Sequence, residues 1–205
     1  MGYLEAGLSW LLKFFYNVSG SYGLAIILLT IAIRLILAPL TLSQSKSMEA
    51  MKTLQPKMNA LQQKYKDDPE EYQRRVMELY KEHNINPLSG CLPMLIQLPF
   101  LWALFAVLRN YDFGTGFLWL TSLSEPDPLY ILPVLSALTT YIQMMMTSAD
   151  ASQKSMMLIM PIFIGYISIS FPAGLVLYWV VSNLFSMGQQ YLIARRMSPQ
   201  EGGKA

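Results

Sequence analysis

Cysteine and histidine each occur only once in this 205-residue chain, as Cys91 and His83. A single cysteine excludes an internal disulfide and any cysteine-based metal or redox motif. Charge is also scarce. Charged residues make up 14% of the sequence against 53% hydrophobic, with a mean hydropathy of +0.33, the balance of a polytopic membrane protein. The net charge of +2 is too small to argue for nucleic acid. The first twenty residues lack the basic start and small-residue cleavage site of a signal peptide, since Lys13 is their only base and follows the leucines.

Five apolar stretches contain no Asp or Glu: 23–43, about 91–108, 129–147, 156–171 and 173–194. Each is read as a transmembrane helix. The last two are separated only by Phe171, Pro172, Ala173 and Gly174, which predicts a tight helical hairpin. With no acid in any span and His83 outside them, the chain offers no Ser/His, metal or paired-carboxylate site within the membrane. Catalytic residues, bound metals and cofactors are therefore not expected, and the chain is not read as an enzyme.

Lys and Arg set the orientation. Eight lie between Ser45 and Asn86, and Lys154, Arg195, Arg196 and Lys204 bring the total on that side to twelve. Only Lys13 and Arg109 lie opposite. The positive-inside rule then places the N-terminus outside and the C-terminus in the cytoplasm, with Trp10, Trp119, Tyr22 and Tyr111 at the outer interface.

At the N-terminus, Leu4, Leu8, Leu11, Leu12 and Phe15 line one face of a short amphipathic helix, expected to rest on the membrane surface. In the basic segment, Met51, Leu54, Met58, Leu61 and Tyr65 follow a 3,4 spacing. After a turn at Asp67, Asp68 and Pro69, the spacing resumes at Tyr72, Val76, Leu79 and His83. This predicts an antiparallel helical hairpin. The expected fold is an all-α polytopic membrane protein: residues 1–20 an interfacial helix, 21–44 and 87–194 a five-helix core, 45–86 the cytoplasmic hairpin, and 195–205 a short tail.

Arg34 stands near the middle of the first span, about 13 to 17 Å from either end. A guanidinium at that depth costs at least ~2.5–3.5 kcal/mol on the lenient insertion scale. No intramembrane carboxylate exists to neutralise it. Water and neutral polar groups must solvate it, and Thr30 one turn away, Gln97, Gln143, Ser182 and Asn183 are candidates. Taken singly, each reads as interhelical hydrogen-bond glue; together with Arg34 they predict a wet cavity bounded by several helices. An anion channel or carrier using Arg34 as its selectivity charge fits the same residues. Met144, Met145, Met146, Met156, Met157 and Met160 crowd the inner ends of the third and fourth spans, a surface able to accommodate varied apolar partners or simply to pack.

Three runs carry a family resemblance: Asn86 to Pro99 (NPLSGCLPMLIQLP), Asp127 to Pro133 (DPLYILP), and Phe171 to Trp179 (FPAGLVLYW) followed by Ser182 and Asn183. With the Arg34 span they resemble the YidC membrane-insertase family, relatives of the Oxa and Alb proteins, from about Tyr22 to Ile193. The resemblance implies a membrane protein insertase and chaperone of the bacterial inner membrane. Such a protein inserts and helps fold nascent membrane proteins through a hydrophilic groove closed on the outer side, without nucleotide hydrolysis. It implies groove residues at Arg34, Thr30, Gln97, Gln143 and Trp179, and an apolar client surface on the second and fourth spans, including Leu98, Leu101 and Ile167. Nascent chains and lipid are the implied partners, with the ribosome, the signal recognition particle pathway and the Sec translocon beside them. Relative to larger bacterial members, the sequence shows no first helix and large outer domain. It has no N-terminal lipoprotein cysteine, and its basic tail is short.

Overall fold

The structure, a computed structural model, describes residues 2–83, 92–110, 116–147 and 154–197. Asn86 to Cys91, Tyr111 and Lys204, named above, lie outside these residues. Eight α-helices are described: α1 Gly2–Ser19, α2 Tyr22–Thr53, α3 Gln55–Lys64, α4 Pro69–Glu82, α5 Leu92–Asn110, α6 Ile131–Thr147, α7 Lys154–Ser168 and α8 Ala173–Met197. The described residues contain no strand, only an isolated bridge between Phe117 and Leu120.

α2 continues well past the expected end of the first span. Its 32 residues reach about 48 Å, so the membrane segment and the start of the polar hairpin form one helix. The stretch Tyr22–Gln44 is the one described helix long and apolar enough to cross a bilayer by itself; 97–108, 131–146 and 157–168 are shorter apolar stretches. α2 stops at Thr53 because Pro56, in the first turn of α3, has no N–H and its ring opposes the carbonyl four residues back. Pro39, by contrast, is carried inside α2, as membrane helices tolerate.

One apolar core joins α1, α2, α5, α8 and the loop before α6. Leu12, Ala25, Ile26, Leu29, Leu108, Leu123 and Ala173 are fully enclosed in it. The leucine face of α1, expected on the membrane surface, is taken up by α2 and α5 instead: Leu8 and Leu12 are buried, with Leu4, Leu11 and Phe15 packed beside them. The chain reverses at Gly20, where φ is +69°, a conformation glycine adopts without a Cβ clash. Tyr16 and Tyr22 stack across that turn at 3.9 Å. Residues from Tyr3 to Leu11 then share an apolar cavity with Ile33, Ile36 and Leu37, so α1 runs back along α2.

The expected hairpin of the last two spans requires a correction. α7 and α8 are joined by a short turn, Ile169 to Pro172, but do not pack along each other; α7 lies on α6, and α8 lies on α2 and α6. Small residues explain the choice. Gly165 of α7 meets Ala137 of α6 so closely that a Cβ there would stand 2.9 Å from the alanine methyl, the close approach that small residues permit between membrane helices. The Ser136 and Ser168 hydroxyls bond across the same interface at 3.0 Å.

The polar hairpin has its own small core of Leu54, Met58, Leu79 and Tyr80, flanked by Met51, Leu61 and Val76. Tyr80, absent from the spacing argument, is buried and donates to Met58 Sδ at 3.4 Å. His83 is exposed; its Nδ1 lies 2.9 Å from the Leu79 carbonyl and its Nε2 3.2 Å from Lys57 Nζ. α4 starts where its sequence dictates: Asp68 Oδ1 accepts from Glu71 N at 3.0 Å, with Pro69 at the first position.

Candidate functional site

Arg34 is half-buried on α2. Its Nη2 donates to Gln97 Oε1 of α5 at 3.5 Å, and Gln97 Nε2 in turn donates to the Tyr178 hydroxyl of α8. Three helices thus meet around one neutral relay. The ion pairs of α4, between Glu71, Arg74, Arg75 and Glu78, do not involve Arg34. A guanidinium has five N–H donors, and one long bond to an amide leaves most of that capacity for water or an incoming acceptor.

Thr30 is fully buried and its hydroxyl donates to the Ile26 carbonyl at 2.6 Å. That proton is committed within α2 and does not reach Arg34. Gln97 lies beside Arg34, and Trp179 lies one position from Tyr178. Trp179 Nε1 faces α6, donating to Thr140 Oγ1 at 3.3 Å. Gln143 is half-buried one turn further along α6.

Below this level the α6–α8 contact is polar. Asn183 Nδ2 donates to Thr139 Oγ1 and Thr140 Oγ1 at 3.1 and 3.0 Å. Between α2 and α8, Gln189 Nε2 donates to Thr41 Oγ1 at 2.8 Å. Sequence reasoning singled out neither Thr139, Thr140, Thr41 nor Gln189. Thr41 lies seven residues after Arg34, hence on the same side of α2, and that spacing was the available signal. Ser182 Oγ, both side-chain atoms of Gln44, and Gln190 Nε2 are buried without a partner.

Leu98 is exposed on α5, Leu101 is partly buried against the main core, and Ile167 is half-buried on α7. α5 and α7 do not pack along one another. The proposed apolar contacts therefore stand on two separate helices: α5 packs on α1, α8 and α2, and α7 packs on α6.

An all-helical bundle that pairs Arg34 with Gln97 in a largely apolar setting, and that includes one helix long and apolar enough to cross a membrane, has the character of a helical membrane protein. The 60Kd inner membrane protein family model matches residues 14–201, and the chain belongs to that family, the family of YidC insertases. Proteins named membrane protein insertase YidC are similar to it along most of its length. The one from Caldanaerobacter subterraneus subsp. tengcongensis is 45% identical, covering 95% of this chain and 96% of that protein. The Fusobacterium nucleatum subsp. nucleatum protein is 45% identical, covering 96% and 99%. The Geobacter sulfurreducens protein is also 45% identical over 93% of this chain, which spans 37% of that longer relative. A solved structure, an active YidC insertase with its first transmembrane domain resolved, superposes with a TM-score of 0.79 at 34% identity, covering 91% of this chain and 45% of that one.

Proposed function

We propose that this chain inserts nascent membrane proteins into the bacterial inner membrane and assists their folding, using the space around Arg34 as a hydrophilic groove. Five helices, α2, α5, α6, α7 and α8, cross the membrane, with the N-terminus outside and the α3–α4 hairpin and C-terminus in the cytoplasm. The observation that carries this reading is a mid-depth guanidinium whose described partner is a neutral amide at 3.5 Å. Family membership supports the same role.

An acidic or polar tail of a client enters from the cytoplasm, pairs with Arg34, and faces only the remaining half-thickness of hydrocarbon. Its apolar segment moves along Leu98 and Leu101 on one side and Ile167 on the other into lipid. At roughly −0.3 to −0.6 kcal/mol per Leu, Ile, Phe or Val, a span of about 20 residues releases several kcal/mol. A potential positive outside favours outward movement of each acid by about 2.3 kcal/mol per 100 mV. No nucleotide is required. Arg34 supplies the charge, Gln97 and Tyr178 orient it, and Thr30, Gln143 and Trp179 shape the wall. Ribosome, signal recognition particle and Sec translocon deliver or share clients.

Cysteines at positions 34 and 97, in a chain with Cys91 replaced, test the groove. Both are expected to react with a membrane-impermeant thiol reagent from the cytoplasmic side and not from outside. Equal reaction from both sides overturns the insertase groove and favours an anion pore with Arg34 as its selectivity charge.

A further inference from the structure

One loop, residues 116–130, covers the end of the bundle that is outer in the proposed topology. It touches several helices at once. The Phe117 ring occupies the space above Gly23 of α2, leaving no room for a Cβ there. Leu120 and Leu123 are buried in the main core. The Glu125 carbonyl accepts from Ala173 N at 2.7 Å and the Leu123 carbonyl from Gly174 N at 2.9 Å, while Pro172 O receives the next two amides, Leu175 and Val176. All four N–H groups that open α8 are therefore satisfied, two of them by this loop.

A single carboxylate ties the loop to itself and to α6. Asp127 is 3% exposed. Its Oδ1 accepts from Trp119 Nε1 and Leu129 N, each at 3.0 Å, and its Oδ2 accepts from Leu132 N at 2.7 Å. Charge-assisted bonds of this kind are about twice as strong as neutral ones. The backbone around Asp127 is held in an uncommon shape, with Leu118 at φ +54° and Tyr130 at φ +57°, conformations that persist only where surrounding contacts impose them. The opposite end of the bundle differs: Gln44 and Gln190 there keep buried atoms without a partner. Among the described residues, none of the buried side-chain atoms without a partner belongs to loop 116–130.

We infer that Asp127 is the latch of the outer seal, a positioning residue that keeps the groove closed to the outside by fixing loop 116–130 across α2, α6 and α8. This rests on the reading of a groove closed outward. Asp127→Asn is nearly isosteric, yet it removes the charge and one acceptor oxygen and turns an NH2 group toward a backbone N–H.

The test uses Val176→Cys, a buried position one turn inside the loop, in full-length protein with Cys91 replaced, in vesicles oriented right side out. With Asp127 intact, the impermeant thiol reagent is expected to react slowly from outside. With Asp127→Asn, outside reaction is expected to rise about tenfold, as the open state gains population from the lost bonds, with labelling of Gln97→Cys from the cytoplasmic side unchanged. If Asp127→Asn does not accumulate, Trp119→Phe, which deletes one of the three donors, decides by a smaller rise in the same rate. A folded variant labelled at the rate of the parent overturns the latch. Fast labelling with Asp127 intact overturns the closed outer groove itself.

Discussion

Gly23 lies where the Phe117 ring leaves no space for a side chain. Gly23→Ala is expected to lower stability by about 1–3 kcal/mol, the usual range for overpacking, measured by thermal unfolding in detergent. Adding Phe117→Ala should recover part of that loss because the two changes act on one contact. Strictly additive losses would show that the ring is not what excludes the methyl group. Gly174, with Ile26 Cδ1 and the Leu123 carbonyl 3.1 and 3.2 Å from a built Cβ, lies in the same packing. At this scale the sequence made Arg34 visible, because a charge in a run of leucines needs a polar environment, and Gln97 drew notice only together with it. The sequence did not show that Tyr178 completes their relay or that Thr139 and Thr140 serve Asn183, because such partners depend on how each helix is rotated about its axis. It also drew Thr30 toward Arg34 on spacing alone, whereas its hydroxyl proton goes to the carbonyl of its own helix.

Among the elements, α3 and α4 form a unit with their own core, separate from that of the membrane bundle. Replacing Gln55 to His83 by a flexible linker is expected to leave the bundle's detergent melting temperature nearly unchanged while insertion activity falls. A melting temperature that collapses with the deletion would make the hairpin a structural support. Within α4, hydrogen bonding from Arg74 is the largest influence on the Glu71 carboxyl; desolvation, the next largest, opposes it, and Arg75 adds to Arg74 so that the carboxyl is held below its ordinary value. A depressed folded-state value means a contribution to helix stability that is complete above the unfolded pKa and is lost as pH falls through the folded one. Amide exchange in α4, corrected for intrinsic rates, should therefore stay flat through neutral pH and accelerate only below the ordinary carboxylate range. Glu71→Gln should remove that acid-dependent step, and an unchanged profile would assign it elsewhere. The start of α4 at the Asp-Asp-Pro turn was legible in the sequence, whereas the continuation of α2 to Thr53 was not. Nor was the pairing of α7 with α6, since a break in an apolar run marks a turn without saying which neighbour each side prefers; Gly165 against Ala137 decides it.

For the whole molecule, polar side chains link α2, α8 and α6, with Gln97 of α5 joined to them beside Arg34, while Leu98 of α5 is exposed and α7 packs on α6. In the proposed role, the polar tail and the apolar segment of a client use these different surfaces. The charge at position 34 is the central claim. A site serving many clients cannot demand one carboxylate pose, so charge should matter more than the planar fork of donors that distinguishes arginine from lysine. The direct measurement is insertion of one client, carrying acidic, neutral or basic outer tails, into vesicles reconstituted with the native chain, Arg34→Lys or Arg34→Ala. The account predicts that Arg34→Lys keeps much of the activity and that Arg34→Ala fails most severely with the acidic tail; an alanine variant that handles all three tails as the native chain does would contradict it.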